Sequence, residues 1–236
     1  GWLIGVSLFS YLFGTVSLTA AETFSNSSPL RKAISIVGGG SSSGAKLFMG
    51  FIFIVISTMV MVMAATHLAA AREEEAQGFL DNLLVRRVTR ANWLLGRVAL
   101  GVVTFLAAGL LAGLSAWLGA HLQNFDISLG SLLAAGFNVA VPAVLVLSIG
   151  VLAFGFLPRA TSFVAYGVIV WSFLVEIIGS FVKANDWLLN TSILHWLAAA
   201  PAVDPHWDSL AVMLLISLSL ILIGTFGFVR RDLASE

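Results

Sequence analysis

The chain has no cysteine in its 236 residues. That excludes a disulfide framework, a thiolate metal site and a thiol nucleophile. Charge is almost as scarce: 10% of residues are charged against 59% hydrophobic, where a soluble domain carries about a quarter charged. The net charge is zero, so there is no basic surface for nucleic acid. No Ser-His-Asp set, paired carboxylates or HExxH occurs, and nothing supports hydrolytic chemistry. What remains is apolar, with a mean hydropathy of +1.00.

The apolar residues fall into runs long enough to cross a membrane, which takes about 20 residues. Six windows qualify: 2–21, 47–71, 93–120, 131–157, 160–182 and 210–229. The expected fold is all-α, a single six-helix transmembrane domain over 1–236 with no intervening soluble domain. The first window is not read as a secretory signal, since it has no basic leader and is too long. Gly1 opens inside an apolar run without an initiator Met, so the sequence reads as part of a longer chain.

Orientation follows from Lys and Arg. With the 72–93 linker inside, Arg72, Arg86, Arg87, Arg90, Arg97, Arg159, Arg230 and Arg231 are cytoplasmic, leaving Arg31, Lys32, Lys46 and Lys183 outside. Both ends of the segment are then cytoplasmic, in a multi-pass protein of the cell membrane. Leu188–Ala200 in the last outer loop is rich in Trp and Pro neighbours and is read as a short helix dipping into the membrane.

The linker is the one long charged stretch, REEEAQGFLDNLLVRRVTRANW. As a helix over about 73–90 it places Ala76, Phe79, Leu80, Leu83 and Leu84 on one face. Glu73, Glu74 and Glu75 lie at its start and Arg86, Arg87 and Arg90 at its end, the order the helix dipole favours. Such a rod belongs at the water interface, its apolar face against lipid headgroups or another protein.

Other motifs reduce to plain readings. GGSSSGAK at Gly39–Lys46 departs from a phosphate-binding loop, because Ala45 stands where Lys is needed and no strand precedes it; it reads as a linker, and the chain alone is not expected to bind ATP. His67 reads as a structural histidine. His195 and His206, with Asp204 and Asp208 nearby, have no fixed metal-ligand spacing. Gly109 and Gly113 form GxxxG, a helix-packing signal, and Asn138 with Pro142 marks a kink or an interhelical hydrogen bond. Glu176, near the outer end of the fifth span, reads first as reaching the interface; a carboxylate at membrane depth also leaves a proton-linked role open.

Taken together, Glu74, Glu75 and Gly78 (EExxG), Leu83-Leu84, Val88-Thr89-Arg90 and Trp93 resemble the permease subunits of ABC-2 type exporters, with Arg87 at the family's proline. Gly155–Arg159 (GFLPR) and Arg230–Leu233 look like features of the tetronasin and polyketide-antibiotic exporters of actinobacteria. The resemblance implies that the 73–90 helix is a coupling helix docking on a cytoplasmic ATPase dimer, with Glu74, Glu75, Gly78, Phe79, Leu80, Leu83, Leu84 and Arg90 as its contacts. It also implies a second six-helix half, in the same or a separate polypeptide. No cofactor is expected in this chain, ATP and Mg belonging to the partner. A small amphipathic or hydrophobic substrate (a drug, antibiotic or lipid) would pass between halves along the second and fifth spans. The contact residues so implied are Phe53, Met59, Met63, Trp171, Phe173 and Glu176. Two rivals stand beside this: a proton-coupled secondary transporter using Glu176, and a non-transporting membrane anchor for a soluble partner.

Overall fold

A computed structural model describes residues 1–25, 44–77, 89–181 and 186–230. Within them lie six long helices: α1 (Trp2–Ser25), α2 (Gly44–Ala76), α3 (Arg90–Leu122), α4 (Leu129–Phe156), α5 (Thr161–Phe181) and α6 (Trp207–Arg230). Each is long and apolar enough to cross a bilayer, and the described residues contain no strand. The protein is a multi-pass membrane protein. In hydrocarbon every backbone amide must find its partner within its own segment, which is why apolar runs of this length become helices. The helices match the six windows but overshoot them. α2 and α3 reach 33 residues each, about 50 Å at 1.5 Å per residue.

α4 is the hub, packed on α2, α3, α5 and α6, while α1 lies across α2 and α3. Association in lipid depends on close van der Waals packing rather than on expelling water, and glycine supplies the closeness. Gly109 of α3 faces Gly136 of α4 so tightly that a Cβ on either would collide with the other's carbonyl. Gly113 meets the backbone of Leu132 in the same seam, so the GxxxG reading holds. Gly155 of α4 and Gly224 of α6 repeat the arrangement at the other end.

The bundle has two distinct ends. At the linker end, α2 finishes, α3 begins, and α4 passes to α5 through a 3₁₀ turn at Pro158–Ala160. At the opposite, loop end, α3 connects to α4 through 123–128, and a segment between α5 and α6 folds back into the bundle. That segment holds one helical turn at Asp186–Leu189 and a 3₁₀ turn at Leu194–Trp196. It does dip between the helices, but mostly as non-helical backbone rather than as the short helix expected over Leu188–Ala200.

Candidate functional site at the linker end

Local sequence sets both borders of the linker. Thr89 caps α3, its hydroxyl accepting from the Asn92 N–H at 3.2 Å; a threonine there satisfies one of the amides that a helix start leaves unpaired. On the other side Glu73–Ala76 continue α2 without a break. The start of the expected 73–90 rod is therefore an extension of the second span, and Arg90 opens the third. Gly78, Phe79, Leu80, Leu83 and Leu84 lie outside the described residues.

The two borders are tied together. Glu74 on α2 forms an ion pair with Arg97 on α3. His67, one face lower on α2, brings Nε2 within 3.0 Å of the Arg97 carbonyl oxygen and meets the Phe105 ring edge-on at 6.2 Å. The structural reading of His67 is the observed one. Glu75, whose side chain is 8% exposed, accepts from Arg72 at 3.4 Å. Arg72 in turn donates through Nε to the Pro158 carbonyl at 3.2 Å, joining α2 to the turn between α4 and α5.

Behind the charges stands an aromatic stack. The Arg97 guanidinium lies 5.8 Å over Trp93. Trp93 packs against Phe154 of α4 and Phe228 of α6, with centroids 6.4 and 6.0 Å away, and those two rings are 5.1 Å apart. Each such pair contributes about 0.5–1.5 kcal/mol beyond area burial, whereas a part-exposed ion pair contributes about 0–1 kcal/mol. The rings therefore hold the junction and the charges orient it. Sequence spacing pointed to Glu74, Glu75 and Trp93. It did not point to Arg97, Phe154 or Phe228, since no local pattern links positions 93, 154 and 228.

The residues expected to line a substrate path do not converge within the described bundle. Phe53 and Met63 are buried at 2% and 4% exposure inside the bundle, Phe53 beside Ser10 and Gly14 of α1 and Ala116 of α3. Met59 is half-buried against the core. Trp171 and Phe173 lie exposed on α5, and Trp171 donates from Nε1 to the Thr191 hydroxyl at 3.0 Å. Glu176 is half-buried on α5, within electrostatic reach of His195. The exposed large apolar side chain of α2 is instead Phe51, with Val55 and Thr58 half-buried. Among the described residues no three His, Asp or Glu side chains converge on a metal site.

Comparison with known proteins agrees with this architecture. The family model described as "Multidrug efflux system permease Rv1217c, C-terminal domain" matches residues 1–229. The multidrug efflux system permease protein Rv1217c of Mycobacterium tuberculosis (strain ATCC 25618 / H37Rv) is 27% identical over 234 residues, covering 98% of this chain and 42% of that relative. The chain thus spans less than half the length of the relative it matches.

Proposed function

The chain belongs to this family of multidrug efflux permeases, and from that premise we propose that it is one six-helix half of an ABC-2 type exporter. It sits in the bacterial inner membrane with its linker end in the cytoplasm, as the excess of arginine there favours. A cytoplasmic ATPase dimer holds ATP and Mg, and this chain holds no cofactor. The partner half is a second six-helix bundle. The substrate is small and amphipathic or hydrophobic, a drug, antibiotic or lipid, moving outward along the face where α2 and α5 meet that half.

The observation that carries this reading is the brace around the linker's two roots. Glu74 to Arg97, Arg72 to Pro158 and Trp93 to Phe154 and Phe228 connect α2, α3, α4, α6 and the turn before α5. A push on the linker reaches four of the six helices, and the turn leading into a fifth, at once. The linker's sequence supplies an apolar face at Phe79, Leu80, Leu83 and Leu84 for a groove in the motor, the helix-in-groove mode of recognition. Glu74 and Glu75 place the rod by holding its root, and Arg90 fixes the other root as the first residue of α3.

Replacing Leu80 and Leu83 with Asp would bury unpaired charge in that groove. The expected result is loss of ATPase co-purification together with loss of drug-stimulated ATP hydrolysis, while the protein still inserts in the membrane. ATPase association at the parent level would refute the docking. The nearness of His195 to Glu176 favours a second reading, a proton-driven carrier. Efflux that survives Glu176→Gln and follows ATP rather than the pH gradient excludes it.

A further inference from the structure

The helices around α4 touch one another in series: α5 meets α2, α2 meets α3, and α3 meets α6. Among the described residues α6 and α5 hardly touch, so the ring around α4 is open on that side. The opening shows on α4 itself. From Asn138 to Gly155 every residue is buried except Ile149 and Leu152, and Phe156 beyond them is 55% exposed. Positions 149, 152 and 156 share one face of a helix. Gly150 meets Ala165 of α5, and Gly155 meets Gly224 of α6. That face therefore looks out between the two helices, and α4 forms the floor of an apolar crevice.

The linker end of the crevice carries two cations. α4 and α6 both run from the loop end to the linker end, with the Phe156 ring against Gly227. Three residues past that contact come Arg159, in the turn after α4, and Arg230, the last residue of α6. Both are exposed. Ile223, Gly227 and Arg230, spaced i, i+4 and i+7, lie along one face of α6, so Arg230 shares the side that meets Phe156. Its guanidinium lies 4.0 Å over the exposed Phe226 ring, which keeps the charge where the apolar surface ends. The turn bearing Arg159 is held by the Arg72 Nε bond to the Pro158 carbonyl.

An apolar floor with two guanidiniums at one lip suits an amphiphile with a phosphate at its head. A neutral drug uses the floor and not the arginines; a free phosphate uses the arginines and not the floor. We propose that the crevice between α5 and α6 binds an anionic phospholipid, acyl chains over Ile149, Leu152 and Phe156, phosphate between Arg159 and Arg230. Guanidinium groups bind phosphate oxygens in paired hydrogen bonds, and basic pockets between membrane helices hold anionic headgroups in this way. The site stands apart from the exporter reading and holds whether or not the chain moves drugs.

The test uses the full-length permease in a neutral detergent, titrated with dioleoyl phosphatidylglycerol or dioleoyl phosphatidylcholine. Bound lipid is counted by native mass spectrometry. The parent should hold phosphatidylglycerol the more tightly. Arg159→Gln and Arg230→Gln should each weaken that binding about five-fold. The double Gln variant should lose the preference while binding phosphatidylcholine as the parent does. Replacing both arginines with Lys keeps the charge and should keep most of the preference, which separates a lost site from a damaged fold. A parent that holds both lipids equally would overturn the site, as would a preference that survives the double Gln variant. Glycerol phosphate at the same concentrations should not displace the lipid. Displacement would reveal a site for free phosphate and overturn the part given to the crevice.

Discussion

The two ends of this bundle are held in opposite ways. At the linker end, side chain meets side chain: Glu74 with Arg97, and Trp93 with Phe154 and Phe228, all mounted on long helices. At the loop end, single side chains reach to backbone: Asn138 to the Ala198 carbonyl, Ser172 to the Ile193 amide. The first arrangement fixes helices relative to one another and costs several packed rings to undo. The second ties a strip of chain to the helices by single side chains, alongside Ile193, Leu194 and Leu197 packed into the core. The two ends are thus held by different kinds of contact, ring against ring at one and side chain against backbone at the other.

The contrast can be broken at its strongest point first. Trp93→Ala removes the ring shared by two aromatic contacts and should lower global stability by about 2–4 kcal/mol, read as a drop in thermal midpoint in detergent. A loss below about 1 kcal/mol would mean that the linker end is not stiff. Ser172→Ala should remove about 1 kcal/mol from one hydrogen bond, but locally. Hydrogen exchange should speed up at residues 190–200 while the thermal midpoint barely moves. A global loss as large as that of Trp93→Ala would erase the distinction between the ends. The smallest effect belongs to the charges. Glu74→Gln and Arg97→Gln should each cost about 0.5 kcal/mol, and the double variant no more than either, the non-additivity expected of one shared pair. Strict additivity in that cycle would remove the ion pair from the brace.

Much of the fold was readable in the sequence, because the bilayer leaves an apolar run of membrane length few options. The six windows fall on α1 to α6, and Gly109 and Gly113 form the seam they signalled. Helix ends were less readable. Glu73–Ala76 are polar enough to suggest a separate rod, yet the backbone hydrogen bonds of α2 simply continue through them. Faces were least readable of all. In a soluble helix polarity marks the outside, but here lipid-facing and core-facing positions are both apolar. Nothing in the run from Phe51 to Met63 says that Phe53 and Met63 point inward while Phe51 points out. The same limit hid the loop-end contact. Leu197–Ala200 looks like ordinary apolar chain, and only the fold brings it to Asn138, 60 positions away. The unusual local feature was Asn138 four residues before Pro142 in an otherwise apolar helix. That was visible as a polar site, but its partner was not.

The length of α2 and α3 has a consequence of its own. At 33 residues each, tilted by about 20° they still rise about 47 Å, against about 30 Å of hydrocarbon and about 40–45 Å with headgroups. Their length therefore exceeds the lipid polar zone by a few ångströms, and the Glu74–Arg97 ion pair ties the two helices together at the linker end.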